Sequence, residues 1–227
     1  MTIEITESKF LATEEKGEVS SILIRPEAAN WLLVLGHGSG ANMRHQNLTT
    51  ISERLAEVDI ATFRYQFPYM ERGGGGRDSQ AVSLATVRAA VQAAHNAAED
   101  LPLLAGGHSF GGRMTSIAAA EASLPFVNGL VFFGFPLHPS GKRGIERAAH
   151  LPDIDVPLLF LSGTRDKLAE LDLLQPVCDN LGDKATLHLL DTADHGFKIL
   201  KRSRKSDEDV YVEMARVLNE WTEGLLP

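Results

Sequence analysis

The sequence has one cysteine, no long apolar run and no excess of positive charge. The single thiol, Cys178, cannot form an intramolecular disulfide and belongs to no C-x-x-C pair that could bind a metal. No stretch of about 18 apolar residues is present, and the opening MTIEITESKF lacks a basic segment followed by an apolar one. We therefore expect a cytoplasmic protein without a secretory signal or a transmembrane helix, in which Cys178 is a buried thiol.

The charge balance argues against nucleic acid and anionic membranes as partners. The chain has 30 Asp and Glu against 22 Lys and Arg, which gives a net charge of −8 that repels polyanions on average. A basic loop precedes the last predicted helix, and in an acidic chain it is interpreted as a solvated turn. Its members are Lys198, Lys201, Arg202, Arg204 and Lys205. The 227 residues predict a single domain over 1–227.

Apolar runs alternate with helical segments along most of the chain. Two β segments, Thr2–Glu7 and Val19–Arg25, flank a Glu-Lys-Gly turn and predict a hairpin. Further strands are predicted at Trp31–Leu35, Ile60–Tyr65, Leu101–Gly106, Leu130–Phe133, Leu158–Leu161 and Thr186–Leu190. Helices are predicted at Leu48–Val58, Gln80–Ala98, Phe110–Ala122, Leu168–Leu181 and Asp207–Leu225. This alternation predicts an α/β protein, a three-layer α/β/α sandwich around an eight-stranded, mostly parallel sheet.

The last predicted helix has a clear beginning and a regular apolar stripe. Ser206 with Asp209 three residues later resembles a capping box, which would start the helix near Asp207. Apolar residues then recur at helical spacing as far as Leu225. We interpret that stripe as part of the core.

The most specific motif is LLAGGHSFGGRM, residues 103–114. Here a predicted strand passes directly into a helix, and residues 107–111 form the pattern G-x-S-x-G. A serine at such a turn has a strained backbone and lies at the carboxyl ends of the strands, and side chains at Gly107 and Gly111 would collide. The N-terminus of the following helix favours negative charge beside the hydroxyl. Ser109 is therefore a candidate nucleophile.

A serine nucleophile needs a base to accept its proton. His195 follows the eighth predicted strand and begins a loop before the last helix, a position from which an imidazole can reach back over the sheet. The other histidines in or near predicted elements are more consistent with structural roles. They are His95 in a helix, His188 in a strand, and His37 and His108 in glycine motifs.

The base in turn needs an acid that orients it. Asp166 follows the seventh predicted strand, at the same edge of the sheet. The order Ser109, Asp166, His195 is that of a serine hydrolase built on an α/β sheet. Asp191 and Asp194 are alternative acids, but they lie within a few residues of His195 and are expected to shape its loop.

The loop after the third predicted strand, VLGHGSGANM, has two interpretations. Gly36, Gly38 and Ala41 match the G-x-G-x-x-A form of a dinucleotide-binding loop, but the next strand ends without the acid that binds a ribose. Arg64 could accommodate a phosphorylated ribose instead, so an NADP-dependent oxidoreductase remains the weaker alternative. The other interpretation is a His-Gly loop whose backbone N–H stabilises an oxyanion.

Four segments resemble the α/β-hydrolase superfamily, in its compact dienelactone-hydrolase-like type. They are similar to segments of a bacterial branch that resembles the hydrolase-like domains of the testis-expressed and histone-acetyltransferase-complex subunit proteins. The segments are Phe67–Tyr69, Gly106–Arg113, Pro136–Lys142 and Gly163–Asp166. His108 and Phe110 stand where that branch usually has arginine and methionine. Ser109 replaces the cysteine of dienelactone hydrolases, so their particular substrate is not carried over.

The resemblance implies an α/β-hydrolase fold and a set of site residues. It assigns Ser109 as nucleophile, His195 as base and Asp166 as the orienting acid. It also implies an oxyanion hole built from the N–H of Phe110 and an N–H of the HGSG loop, from Ser39 or alternatively Gly40. The expected reaction is cleavage of a small soluble carboxylic ester through an acyl-enzyme, without metal or cofactor.

Five residues lie near the predicted mouth: Arg44, Arg64, Tyr65, Arg113 and His138. Of these, Arg64, Tyr65 and His138 are the candidates for substrate contact. A cationic side chain there would favour a substrate that bears a carboxylate, and the alternative interpretation is a surface salt bridge or loop packing. Only the short segment from Phe135 to Pro157 separates two predicted strands where a helical lid is usually inserted, so we expect little or no lid. A non-catalytic interaction module is the main alternative to an enzyme, since the eukaryotic relatives act within larger assemblies.

Overall fold

The computed structural model describes residues 2–225, and their strands form one eight-stranded sheet. The strands are β1 (Ile3–Thr13), β2 (Gly17–Pro26), β3 (Trp31–Gly36), β4 (Ile60–Tyr65), β5 (Leu103–His108), β6 (Val127–Phe133), β7 (Leu158–Gly163) and β8 (Ala185–Leu190). Their order in the sheet is β1-β2-β4-β3-β5-β6-β7-β8. β2 is antiparallel to β1 and β4, and the other neighbouring strands are parallel. The predicted hairpin and the mostly parallel sheet are confirmed.

Helices cover both faces of the sheet. They are α1 (Gln46–Ala56), α2 (Pro68–Glu71), α3 (Gln80–Ala97), α4 (Phe110–Glu121), α5 (Leu171–Leu181) and α6 (Val210–Thr222). Alternate residues of β3 enter the two cores: Leu33 and Leu35 pack in the core of α1 and α6, whereas Leu32 and Val34 pack in the core of α3, α4 and α5. Because both faces are buried, the strand is apolar throughout rather than alternating.

Two strands differ from their predicted bounds in ways that bear on the fold: β1 continues six residues beyond the predicted Glu7, and β5 is shifted by two residues. β5 ends at His108 rather than Gly106, and it pairs with β6 as far as His108 opposite Phe133. Two adjacent glycines resemble a turn in the sequence, but here they are strand residues that allow close approach of the next backbone. A Cβ on Gly106 would overlap the carbonyl oxygen of Val131. The strand therefore runs directly into Ser109.

The start of α6 also differs from the prediction. Its N-cap is Asp209, whose carboxylate accepts hydrogen bonds from the N–H groups of Tyr211 and Val212. Ser206 instead accepts from the N–H of Glu208, outside the helix. The predicted capping box is therefore wrong, because the acid that was assigned to the third helical position is itself the cap.

Two buried polar side chains bear on other predictions. The Arg204 side chain is only 3% exposed, pairs with Glu213 and donates to the carbonyl oxygens of Asp191 and Glu208, so a fully solvated basic turn is wrong at this position. Cys178 is buried, as predicted, and burial raises the pKa of its thiol to about 12.

The connection between β6 and β7 is short and contains no α-helix. It contains two single turns of 3₁₀-helix, Glu146–Ala148 and Leu151–Asp153. The expectation of a fold without a helical lid is confirmed. Among residues 2–225, no helix is long and apolar enough to cross a membrane.

The contact between β5 and β6 predicts a strong effect of Gly106→Ala. The added methyl group must displace the backbone of a central strand, and we expect a loss of about 3 kcal/mol in the free energy of unfolding. Urea denaturation would measure it. Gly76→Ala is the matched control, because a Cβ on Gly76 has no heavy atom within 4 Å. Equal stability of the two variants would contradict the packing described here.

Candidate active site

Ser109 occupies a strained turn between β5 and α4. Its φ of 52° and ψ of −109° are rarely adopted by a residue with a side chain. Backbone hydrogen bonds hold it there: its N–H donates to the Phe133 carbonyl at 3.2 Å, and its own carbonyl accepts from the N–H of Arg113 at 3.0 Å. The sheet and the helix thus fix the conformation of the serine from both sides.

The glycines around Ser109 permit a close approach of β3. A Cβ on Gly107 would collide with the Gly36 carbonyl oxygen and would lie 2.8 Å from the carbonyl carbon of Gly111. A Cβ on Gly111 would lie 2.8 Å from the Gly36 Cα. The end of β3 and the start of α4 are therefore in backbone contact, which leaves no room for side chains at these positions.

Ser109, His195 and Asp166 form a continuous hydrogen-bonded series. The Ser109 Oγ lies 2.9 Å from the His195 Nε2, and the His195 Nδ1 lies 2.7 Å from the Asp166 Oδ2. The Asp166 side chain is fully buried, and its Oδ1 accepts from the Leu168 N–H at 2.8 Å. Because the carboxylate accepts from Nδ1–H, it leaves the Nε2 lone pair free to accept the serine proton.

The alternative acids shape the loop that carries His195. The Asp194 Oδ1 accepts from the N–H groups of Gly196 and Lys198 at 2.9 and 3.0 Å. Asp191 accepts from the N–H of Lys205. Gly134, with a φ of 69°, lies against the pair formed by Asp166 and His195, where a Cβ would be 3.5 Å from each of the two bonded atoms. No pattern in the sequence indicated this role of Gly134.

His108 connects the turn at Ser109, which we call the elbow, to the loop of His195. Its Nε2 lies 3.0 Å from the His195 carbonyl oxygen, and a Cβ on Gly38 would lie 3.1 Å from its Nδ1. Burial lowers the pKa of His108 to about 4, so the ring is neutral at pH 7 and its Nε2–H donates to the carbonyl. The His108 ring therefore lies between the glycine loop that follows β3 and the loop that contains His195. The only signal in the sequence was its departure from the arginine that is usual in the similar branch.

The glycine loop after β3 is held by residues 67–69. The buried His37 donates through Nδ1 to the Gly38 carbonyl at 2.9 Å and accepts through Nε2 from the Phe67 N–H at 3.1 Å. Tyr69 donates to the Ser39 carbonyl at 3.0 Å. Burial lowers the pKa of His37 to about 4, so the ring is neutral at pH 7 and has one donor and one acceptor.

Three backbone N–H groups in this region are candidates for an oxyanion hole. Ser39 and Gly40 are exposed, and their N–H groups have no hydrogen-bond partner within residues 2–225. Phe110 is the first residue of α4, where an N–H has no partner inside the helix. The structure thus leaves the predicted donors available, without selecting between Ser39 and Gly40.

The three predicted substrate contacts are enclosed by protein. Arg64 is 4% exposed and donates to the Met43 carbonyl and the Thr49 hydroxyl. Tyr65 is 1% exposed in the aromatic core, and His138 is 2% exposed and bonded to Glu170. A substrate cannot reach these side chains in this conformation, so the structure gives no support to their predicted role. The sequence indicated the strand ends but not which side chains turn inward.

The glycine loop also lacks the geometry of a dinucleotide site. The next helix, α1, begins at Gln46 rather than at the last glycine position, with His45 as its N-cap. Gly36 lies against the elbow, where a Cβ would be 2.9 Å from the Tyr65 hydroxyl. A pyrophosphate at a helix start requires the glycines and the helix to be contiguous. The oxidoreductase alternative is therefore not retained.

A family model described as an α/β hydrolase domain matches residues 29–223. The chain belongs to the α/β hydrolase family. It shares its fold with a dienelactone hydrolase from Anabaena variabilis. That protein is 18% identical over the whole of both chains, with a TM-score of 0.78.

Two other solved structures share this fold. A serine hydrolase without a lid from Xanthomonas campestris is 19% identical, with a TM-score of 0.73 over 99% of this chain and 96% of its own. A cold-adapted esterase from an Arctic intertidal metagenomic library is 16% identical, with a TM-score of 0.70 over 97% of this chain and 94% of its own. At these identities the likeness establishes the α/β hydrolase architecture.

The two neutral histidines of this α/β hydrolase predict a pH dependence of stability. His108 has a pKa of about 4 in the fold against 6.5 for an ordinary histidine, so only the unfolded chain binds its proton between those values. The free energy of unfolding should therefore fall as the pH falls from about 6.5 to about 4. The slope of this free energy against pH measures how many more protons the unfolded chain binds than the folded one, and His108→Gln should lower that number by about one. Urea unfolding at several pH values measures it. Identical slopes for the two proteins would contradict a neutral buried ring.

Proposed function

We propose that this α/β hydrolase cleaves small soluble carboxylic esters through an acyl-enzyme intermediate on Ser109. The observation that supports it most directly is the hydrogen-bonded series from Ser109 through His195 to the buried Asp166. A non-catalytic interaction module would have no need for a strained serine held against such a pair. The geometry therefore favours an enzyme over an interaction module.

In the proposed reaction, His195 acts first as a base and then as an acid. The Ser109 Oγ attacks the ester carbonyl carbon while its proton passes to Nε2, which lies 2.9 Å away. Asp166 stabilises the resulting imidazolium and holds the ring in place. The same proton then passes to the departing alkoxide, which leaves as an alcohol. Water repeats the sequence, releasing the acid and restoring the serine.

The negative charge of the tetrahedral intermediate needs donors that are already oriented. We assign one to the Phe110 N–H, at the positive end of α4. The other comes from the glycine loop, through Ser39 or Gly40. The contacts made by His37 and Tyr69 hold that loop before substrate binds, so little reorganisation is required during the reaction.

The absence of a helical lid bears on the substrate. Between β6 and β7 the chain forms only short turns, so the site is open to solvent. A lipase needs an apolar lid surface to bind a long acyl chain, whereas an open site suits short acyl groups. We therefore propose a small, soluble ester.

Substitution of Ser109 tests the proposal. Ser109→Ala removes the nucleophile and should lower kcat/KM for p-nitrophenyl butyrate by about 10⁴-fold, and Asp166→Asn should cause a similar loss because it misorients the imidazole. Absorbance at 400 nm follows the release of p-nitrophenol, and circular dichroism confirms folding.

The matched control is a second serine–histidine pair, whose serine lies on α4. The Ser116 Oγ lies 2.7 Å from the His150 Nε2, but Ser116 is fully buried and has ordinary helical geometry. Ser116→Ala should retain activity within about threefold. A folded Ser109→Ala variant with undiminished activity would rule out the proposed mechanism.

A further inference from the structure

Three arginines converge beside the elbow, and we call them the arginine cluster: Arg77, Arg113 and Arg147. The Arg77 Cζ lies 5.4 Å from the centre of the Phe110 ring. Arg77, Arg113 and Phe110 line one cavity of about 380 Å³. Burial, followed by the positive charges of Arg147 and Arg77, lowers the pKa of Arg113. Burial, followed by the positive charge of Arg77, lowers the pKa of Arg147.

Within residues 2–225, none of the three guanidinium groups lies within 4 Å of a carboxylate. Arg113 has no hydrogen bond to its side chain, and its buried Nε has no partner. Within the described part of the chain, the guanidinium group of Arg147 donates only to the His138 carbonyl oxygen. The cavity wall contains one acid, Asp78, whose Oδ1 lies 2.8 Å from Arg72 and 3.8 Å from Lys16, and whose buried Oδ2 has no hydrogen-bond partner among residues 2–225.

Such an arrangement opposes the stability of the fold. Like charges repel, and burial removes part of their hydration. The protein carries a net charge of −8, so acidic residues to neutralise the cluster were abundant. An anionic ligand would supply the missing charge, and the planar fork of a guanidinium group fits carboxylate and phosphate oxygens.

The cavity of the cluster is lined by Phe110, the residue directly after Ser109. Arg113 follows Ser109 by four residues, a rise of about 6 Å along α4. His195 must reach the leaving group to protonate it, so the leaving group lies on the His195 side. A separate cavity there is lined by His195 and Gly196 and shares no residue with the cavity of the cluster. The acyl group is therefore directed toward Phe110 and Arg113.

We propose that the arginine cluster binds an anionic oxygen group, a carboxylate or a phosphate, on the acyl part of the ester that Ser109 attacks. The substrate class is then an ester of a short acid with a second, anionic end, such as a half-ester of a dicarboxylic acid. Attack by Ser109 rests on the proposed function, whereas binding of the anion does not.

Binding is tested on the Ser109→Ala variant, in which no reaction interferes. Calorimetric titration with glutarate and, separately, with inorganic phosphate should show saturable binding of at least one, and the stronger ligand identifies the anion. Adding Arg113→Gln should weaken that binding by about tenfold or more, as expected for loss of a charged hydrogen bond. Arg54→Gln is the matched control, because Arg54 lies on α1 and pairs with Glu57 on the surface.

Kinetics then test the position of the anion relative to Ser109. The ratio of kcat/KM for mono-p-nitrophenyl glutarate to that for p-nitrophenyl valerate should fall by about tenfold or more in Arg113→Gln, mainly through KM, and stay constant in Arg54→Gln. This pair of esters is used when glutarate is the stronger ligand in calorimetry. When phosphate is the stronger ligand, the charged ester is instead a p-nitrophenyl ester whose acyl group bears a phosphate.

The outcomes separate the two proposals. Saturable binding without hydrolysis of any ester would overturn the proposed function and leave the anion site standing. Hydrolysis without binding of glutarate or phosphate would overturn the anion site alone. Equal losses on both esters in Arg113→Gln would also overturn it, because they would show a structural rather than a charge-specific effect.

Discussion

The contact between the end of β3 and the start of α4 determines the geometry of the site. Gly36, Gly107 and Gly111 meet backbone to backbone, and no Cβ fits at any of the three without displacing a neighbour. This contact brings the helix close to the sheet and leaves Ser109 in its strained turn. It also places the loop that follows Gly36 beside the elbow. The glycines that resemble a nucleotide fingerprint are thus explained by close packing.

Neutral buried histidines join the loops around that contact. His37 holds the glycine loop against residues 67–69, and His108 holds the backbone of His195. A charged ring in either place would be poorly solvated and would lose an acceptor or gain an unpaired donor. The arrangement positions the base and the glycine loop relative to Ser109 through hydrogen bonds of fixed direction. Positive charge is concentrated instead in the arginine cluster.

Sequence patterns predicted the fold well where burial dictates residue type. β4 has the predicted bounds, Ile60–Tyr65, because the strand is buried on both faces and apolar except at Thr62 and Arg64. The order of Ser109, Asp166 and His195 indicated their meeting at one edge of the sheet, since parallel strands end there together. α2 was missed because four residues show no periodicity, and β5 was shifted because Gly106 and Gly107 resemble a turn.

Side-chain roles that depend on tertiary contacts could not be predicted from the sequence. Arg64, Tyr65 and His138 follow or end strands, yet each turns into the interior, a direction that no local pattern specifies. The arginine cluster brings together a glycine-rich loop, a helix and a connection between strands. Its members are far apart in the sequence, and the lack of acidic partners is visible only in three dimensions.

Reaction with a fluorophosphonate probe tests the central claim most directly. Such a reagent phosphonylates a serine whose proton is accepted by a neighbouring base, and mass spectrometry identifies the modified residue. The structure predicts one label on Ser109 and a greatly reduced rate in Asp166→Asn, in which the imidazole is no longer oriented. An unlabelled folded protein, or a label on another serine such as Ser116, would contradict the account.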